Sequence, residues 1–153
     1  MTEVGQKAPD FNLQDENGEL VSLSTFNDKN IILYFYPKDS TPGCTKESIA
    51  FSGLKDEFES LDTVILGASK DNLKKHQNFI KKYDLTVKLL VDDEGTLCED
   101  YGVWVMKKLY GREFMGIERA TFLIGKDGTI KNIWRKVKVN GHAEEVLEVV
   151  KAL

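Results

Sequence analysis

The stretch NIILYFYPKDSTPGCTKE, Asn30 to Glu47, decides how the chain is read. Ile31 to Tyr36 form an unbroken run of apolar, β-branched and aromatic side chains, which suits a central strand buried on both faces better than an edge strand. Pro37 ends the run. Thr41-Pro42 reads as a helix start, and Ile49, Phe51, Leu54, Phe58 and Leu61 then recur near helical spacing, predicting a helix from Thr45 to Leu61. Cys44 therefore stands at the seam between strand and helix. The carboxyl end of a strand is where α/β folds place their sites. The unpaired amides and dipole of a helix start favour a thiolate over a thiol. The alternative is a small buried residue with no chemistry, since free cysteine is commonly buried.

Outward from this seam, the pattern alternates strands with helices. FNLQDENGELVSLSTF alternates apolar and polar residues around Asn17-Gly18, a hairpin signal. TVILGASK predicts a second buried strand. DNLKKHQNFIKKYDL is amphipathic, with Leu73, His76, Phe79, Ile80 and Tyr83 on one side and Asp71 as its N-cap. VKLLVD predicts a third strand, and Glu94 to Tyr101 a short helix. ATFLIGKDGTIKNIWRKV forms two strands about Asp127-Gly128, and GHAEEVLEVVKAL closes the chain as a helix. The order is that of an α/β fold with a mixed central sheet, helices on both faces and an added N-terminal β-hairpin. Its second half follows a thioredoxin-like order.

The 153 residues suit one domain, 1–153, with a substantial core. A net charge of −4 with no basic cluster argues against nucleic acid as a partner. No stretch reaches the roughly 18 apolar residues of a membrane span, and the N-terminus lacks a signal-peptide layout, so a cytoplasmic protein is expected. Two cysteines make no disulfide framework. Two cysteines and two scattered histidines give no zinc spacing, so no metal is expected. His76 reads as a packed core residue and His142 as a helix-start cap. Trp104, Tyr110, Phe114 and Trp134 read as packing residues, although VWVMKKLYGREFMG is rich in apolar side chains that border the site or a subunit contact. A dithiol enzyme would carry cysteine at Thr41, giving C-x-x-C; TPGC favours attack by a single thiol.

FYPKDSTPGCTKE resembles the active-site segment of the peroxiredoxins, with Pro37, Thr41 and Cys44 at the family's spacing. The flanking residues, and GQKAPDFNLQDENGELVSLS, KYDLTVKLLVDDEG, YGVW, YGREFMGIERATFLIGKDGTI and GHAEEVLEVV, are similar to the bacterioferritin comigratory protein or peroxiredoxin Q subfamily over nearly the whole chain. The resemblance implies a thioredoxin-dependent peroxidase without a cofactor, acting on hydrogen peroxide and organic hydroperoxides. Cys44 would be the peroxidatic cysteine. Thr41 would hydrogen-bond the thiolate and the peroxide, Pro37 would shape and shield the pocket, and Arg119 would stabilise thiolate and developing charge. The amides of Gly43 and Cys44 would orient the peroxide.

Read without the resemblance, Arg119 would be a surface ion pair with Glu118 or another acid. Glu47 would be an acid in the first helical turn, favourable to the dipole, or a helper in the hydrogen-bond network. The resemblance implies a resolving cysteine five residues after Cys44, where Ile49 stands, or in the next helix, where none occurs. Cys98 is the only other thiol. Its readings are inert, half-buried packing, resolution within one chain, or a bond between chains. A one-cysteine cycle is expected, with thioredoxin or a low-molecular-weight thiol as reductant and the chain a monomer or weak dimer. The alternative from another class is a non-catalytic peroxide sensor or partner-binding module, which needs the thiol but not the peroxide-orienting set.

Overall fold

A computed structural model describes residues 2–153. In chain order its elements are β1 (Leu13–Gln14), β2 (Leu20–Val21), β3 (Asn30–Phe35), α1 (Pro42–Gly53), α2 (Lys55–Glu59), β4 (Thr63–Ser69), α3 (Leu73–Tyr83), β5 (Lys88–Val91), α4 (Leu97–Asp100), β6 (Trp104–Leu109), β7 (Arg112–Ile117), β8 (Ala120–Ile124), β9 (Ile130–Trp134) and α5 (His142–Lys151).

β3 is buried at all six positions, as its unbroken apolar run requires. It is the middle strand of a five-stranded sheet in the order β5-β4-β3-β8-β9. β3, β4 and β5 run parallel, and β8 and β9 join antiparallel, so the sheet is mixed as expected. Alternation along β3 divides the core. Ile31, Leu33 and Phe35 face a cluster with Leu97, Cys98, Tyr101 and Phe122. Ile32, Tyr34 and Tyr36 face the opposite cluster, with Cys44, Phe51, Phe58, Phe79 and Val146. Helices α1, α2, α3 and α5 thus cover one face, and α4 with the N-terminal hairpin covers the other.

Several local readings need correction. The helix starts at Thr41-Pro42 as read, but the apolar run from Thr45 to Leu61 is broken at Leu54 into α1 and α2. Ile49, counted in its apolar stripe, is exposed, and Phe51 and Phe58 carry the packing. The N-cap of α3 is Asn72, whose side chain accepts from the Lys75 amide, not Asp71. Asp71 is drawn inward instead, accepting from Ser69 Oγ at 2.6 Å and from the Asp39 amide at 2.8 Å. His142 does not cap α5; it is the first helical residue, and its buried Nε2 lies 2.7 Å from Thr121 Oγ1. β6 and β7 form a separate antiparallel hairpin that the sequence reading left without secondary structure. Tyr110 and Gly111, both at positive φ, turn it.

Gly67 allows β4 to sit between two large neighbours. A Cβ there would lie 2.7 Å from Tyr34 Cζ and 2.8 Å from Leu89 Cδ2, both in the fully buried core. Gly67→Ala is expected to destabilise the fold by about 1–3 kcal/mol through overpacking, read as a lower urea midpoint with an unchanged slope.

Candidate active site

The loop after β3 leads into α1 through Thr41, its N-cap, and Pro42 at the first helical position, where a missing amide hydrogen costs nothing. Cys44 is the third residue of the helix, so its amide and that of Gly43 belong to the first turn, which has no carbonyl partners within the helix. The Cys44 side chain is almost fully buried, with Sγ directed at Arg119.

Arg119 reaches this point because it immediately precedes β8. Ala120 pairs with Phe35, the last residue of β3, so the sheet register brings Arg119 beside the start of α1. Its Nη2 donates to Cys44 Sγ at 3.3 Å, and its Nη1 donates to Glu47 Oε1 at 2.7 Å. The planar fork therefore holds an acid with one nitrogen and the thiol with the other. Gly43 makes room for it: a Cβ there would stand 3.2 Å from Nη2. The ion pair of Arg119 with Glu118 is not formed; Glu118 bonds Arg135 at 2.9 and 3.1 Å instead.

Glu47 carries more than its sequence position suggests. It is the sixth residue of α1, beyond the first turn, and is 1% exposed. Burial pushes its carboxyl up to about 7, against the opposing charge and hydrogen bond of Arg119. Oε1 is bonded to Arg119, while Oε2 is buried with no hydrogen-bond partner. A lone oxygen of that kind penalises the carboxylate and explains the direction of the shift.

Thr41 Oγ1 donates to the Lys38 carbonyl at 2.8 Å. Its one hydroxyl hydrogen is thus engaged, and the expected bond from Thr41 to the thiolate is replaced by this loop contact. Its remaining lone pair can accept from a bound ligand. Pro37 is exposed at the mouth of the loop. The structure therefore brings together Gly43, Cys44, Glu47 and Arg119, with Thr41 and Pro37 on the loop beside them.

Comparison with known proteins gives the family of the chain. The profile of the AhpC/TSA family matches residues 4–133. Peroxiredoxin Bcp of Bacillus subtilis is 52% identical over 149 residues, covering 97% of this chain and 95% of that protein.

The chain belongs to the AhpC/TSA family, among its Bcp-type peroxiredoxins.

That membership carries a thiol-dependent peroxidase chemistry. Among solved structures, a cysteine variant of Xylella fastidiosa PrxQ superposes with a TM-score of 0.95 at 38% identity, covering 99% of this chain and 97% of that one. The Xanthomonas campestris bacterioferritin comigratory protein, described for its alkyl peroxide reduction activity, gives 0.91 at 39% identity, with 98% of both chains covered. The thioredoxin-like peroxiredoxin fold expected from the sequence is thereby shown.

In this peroxiredoxin the second thiol is remote from the first. Cys98 is fully buried rather than half-buried, and it packs in the cluster on the other face of the sheet from Cys44. Burial and the charge of Asp92, which also caps the Leu97 and Cys98 amides at 3.0 Å, push its thiol well above the ordinary range.

Two outcomes follow from these environments. Cys98 is expected to resist a neutral thiol reagent in the folded protein and to react only after urea unfolding, in a thiol count on the Cys44→Ser variant. For Glu47, the folded chain keeps a proton between the ordinary carboxyl value of 4.5 and about 7 that the unfolded chain has lost. The contribution of Glu47 to stability therefore falls as pH rises through that window, while His142, held by burial at about 4, contributes in the opposite direction below 6.5. In urea denaturation across the window, the stability of the natural protein is expected to fall relative to that of Glu47→Gln as pH rises.

Proposed function

We propose that this peroxiredoxin is a cytoplasmic, single-domain enzyme that reduces hydrogen peroxide and organic hydroperoxides by a one-cysteine cycle. The observation that carries the reading is the contact of Arg119 Nη2 with Cys44 Sγ at the first turn of α1. The Cys44 thiolate attacks one peroxide oxygen. An S–O bond forms as the O–O bond breaks, and the departing oxygen takes a proton to leave as water or alcohol. Cys44 is left as sulfenic acid. Arg119 and the amides of Gly43 and Cys44 are aimed where negative charge develops, so positioning and electrostatics supply the rate. Thr41 accepts a hydrogen bond from the peroxide O–H with its free lone pair, and Pro37 bounds the loop around the entering peroxide.

Two observations support the one-cysteine cycle. Ile49 occupies the position five residues after Cys44, and Cys98 lies across the sheet. Resolution by Cys98 would need Cα atoms within about 7 Å and hence movement of a buried cysteine through the core. An outside thiol, thioredoxin or a low-molecular-weight thiol, attacks the sulfenic sulfur and releases water as a mixed disulfide forms. A second thiol then displaces Cys44. Organic hydroperoxides are included because the Xanthomonas relative is described for alkyl peroxide reduction. No described helix is long and apolar enough to cross a membrane. The chain acts as a monomer or weak dimer.

Intact mass and free-thiol count after one equivalent of hydrogen peroxide test the cycle. The expected result is rapid loss of one thiol with gain of one oxygen, abolished in Cys44→Ser. Loss of two thiols and two hydrogens would make Cys98 the resolving residue. A doubled mass would place the bond between chains. No fast reaction would leave the sensor or binding-module reading in its place.

A further inference from the structure

Asp39 lies in the loop between β3 and α1, two residues before Thr41, yet it is buried. Tyr36, Asp71 and His76 bond it directly, and Ser69 and Leu90 bond those partners in turn. Its Oδ1 accepts from Tyr36 Oη at the end of β3, at 2.6 Å. Its Oδ2 lies 2.6 Å from His76 Nδ1 on α3. Its amide donates to Asp71 Oδ2, which also accepts from Ser69 Oγ at the end of β4. The other ring nitrogen of His76, Nε2, is 2.8 Å from the Leu90 carbonyl on β5. Asp39, Asp71 and His76 lie close enough to suggest a cation site, but the bonded oxygens and both ring nitrogens already have protein partners. The arrangement is a closed hydrogen-bond network.

The chemistry of the partners fixes the protons. A carbonyl only accepts, so Nε2 of His76 carries hydrogen. The short Nδ1–Oδ2 contact then needs one more proton, which makes the pair an imidazolium and a carboxylate. The groups facing His76 are the Asp39 and Asp71 carboxylates, the Tyr36 hydroxyl beyond Asp39 and the Leu90 carbonyl; no second cation is among them. Burial pushes the His76 proton off, but the hydrogen bond and charge of Asp39, the Leu90 carbonyl and Asp71 outweigh it and raise the value. Ser40, next in the chain, is held at φ +64, a left-handed conformation rarely adopted by a residue with a side chain. Such a conformation persists where its neighbours over-determine it.

We propose that Asp39 and His76 are positioning residues for the reaction of Cys44 with peroxide, acting as a buried proton-bearing pair that holds the loop carrying Thr41 in its reactive geometry. The proposal rests on the peroxidase reading. Neither residue touches the thiol. They act through Ser40 and Thr41, which set the entry into α1. The pair needs its proton. It holds the loop at neutral pH and releases it as pH rises through the raised histidine value, while the thiolate is still present.

The test is the rate of Cys44 oxidation by hydrogen peroxide in reduced protein, measured across pH with His76→Asn and His76→Gln. Asparagine places an amide hydrogen near the Nδ1 position and keeps the bond to Asp39. Glutamine places one near Nε2 and keeps only the bond to Leu90. Urea denaturation is expected to show similar stability losses in both. The Asn variant is expected to react within about 3-fold of the natural protein. The Gln variant is expected to be slower by on the order of 10-fold or more, as a displaced reactive geometry requires. An alkaline decline in rate is expected in the natural protein and is absent from the Asn variant, whose amide does not titrate. Equal rate losses in the two variants, a Gln variant as fast as the natural protein, or an alkaline decline that persists with Asn would overturn the proposal. If neither variant folds, Tyr36→Phe removes one bond to Asp39 without altering ring packing. Its slower oxidation would support the pair, and an unaltered rate would overturn it. Natural protein that fails to react with peroxide would instead sink the peroxidase reading itself, and this proposal with it.

Discussion

The guanidinium of Arg119, shared between Glu47 and Cys44, is the interaction on which the site depends. An arginine fork is rigid and always charged, so fixing one nitrogen aims the others. Glu47 fixes it from the second turn of the same helix that supplies the thiol. Thiol and acid therefore keep constant spacing, and the arginine is the only member of the trio brought from elsewhere. The energetic strain falls on Glu47, a buried carboxyl with one oxygen left without a partner. Removing a partner from such a buried pair does more damage than the pair contributes when whole.

The sheet does the long-range work. Cys44 and Arg119 are 75 residues apart, yet β3 ends beside the residue at which β8 begins. With Phe35 opposite Ala120, the loop leaving β3 and the residue entering β8 emerge at the same end of the sheet. Burial of β3 on both faces holds that register, since a slip of one residue would turn each side chain to the wrong cluster. The sheet also separates the two thiols. The alternation that directs Tyr34 and Tyr36 toward the Cys44 side directs Leu33 and Phe35 toward the Cys98 side.

Much of this was legible where one physical cause dominated. The run Ile31 to Tyr36 had to be buried, and Asp127-Gly128 had to turn, because local chemistry left little choice. The cap of α3 missed by one residue because Asp71 and Asn72 are both good caps, and only the contacts of Asp71 with Ser69 and Asp39 separate them. The β6–β7 hairpin escaped notice because neither strand has a fully buried face: Met106, Leu109, Phe114 and Met115 are exposed, so alternation is lost. Cys44 and Arg119 were legible through family resemblance. The burial of Glu47 was not, because it arises from a partner 72 residues away and the local sequence shows only an acid near a helix start. His76 was read correctly as a core residue, but nothing in its helix revealed that both ring nitrogens are engaged.

The β6–β7 ribbon has a consequence of its own. Among the described residues it pairs only with itself, so each strand keeps one edge free of strand partners there. A free edge beside exposed methionine and aromatic side chains is a template onto which another extended chain can add. The ribbon places Lys107, Lys108, Arg112 and Glu113 along those strands. An incoming strand would have to strip these charges of water before its amides could pair. The ribbon thus keeps an apolar surface in solution and carries its own guard against fibrous self-association.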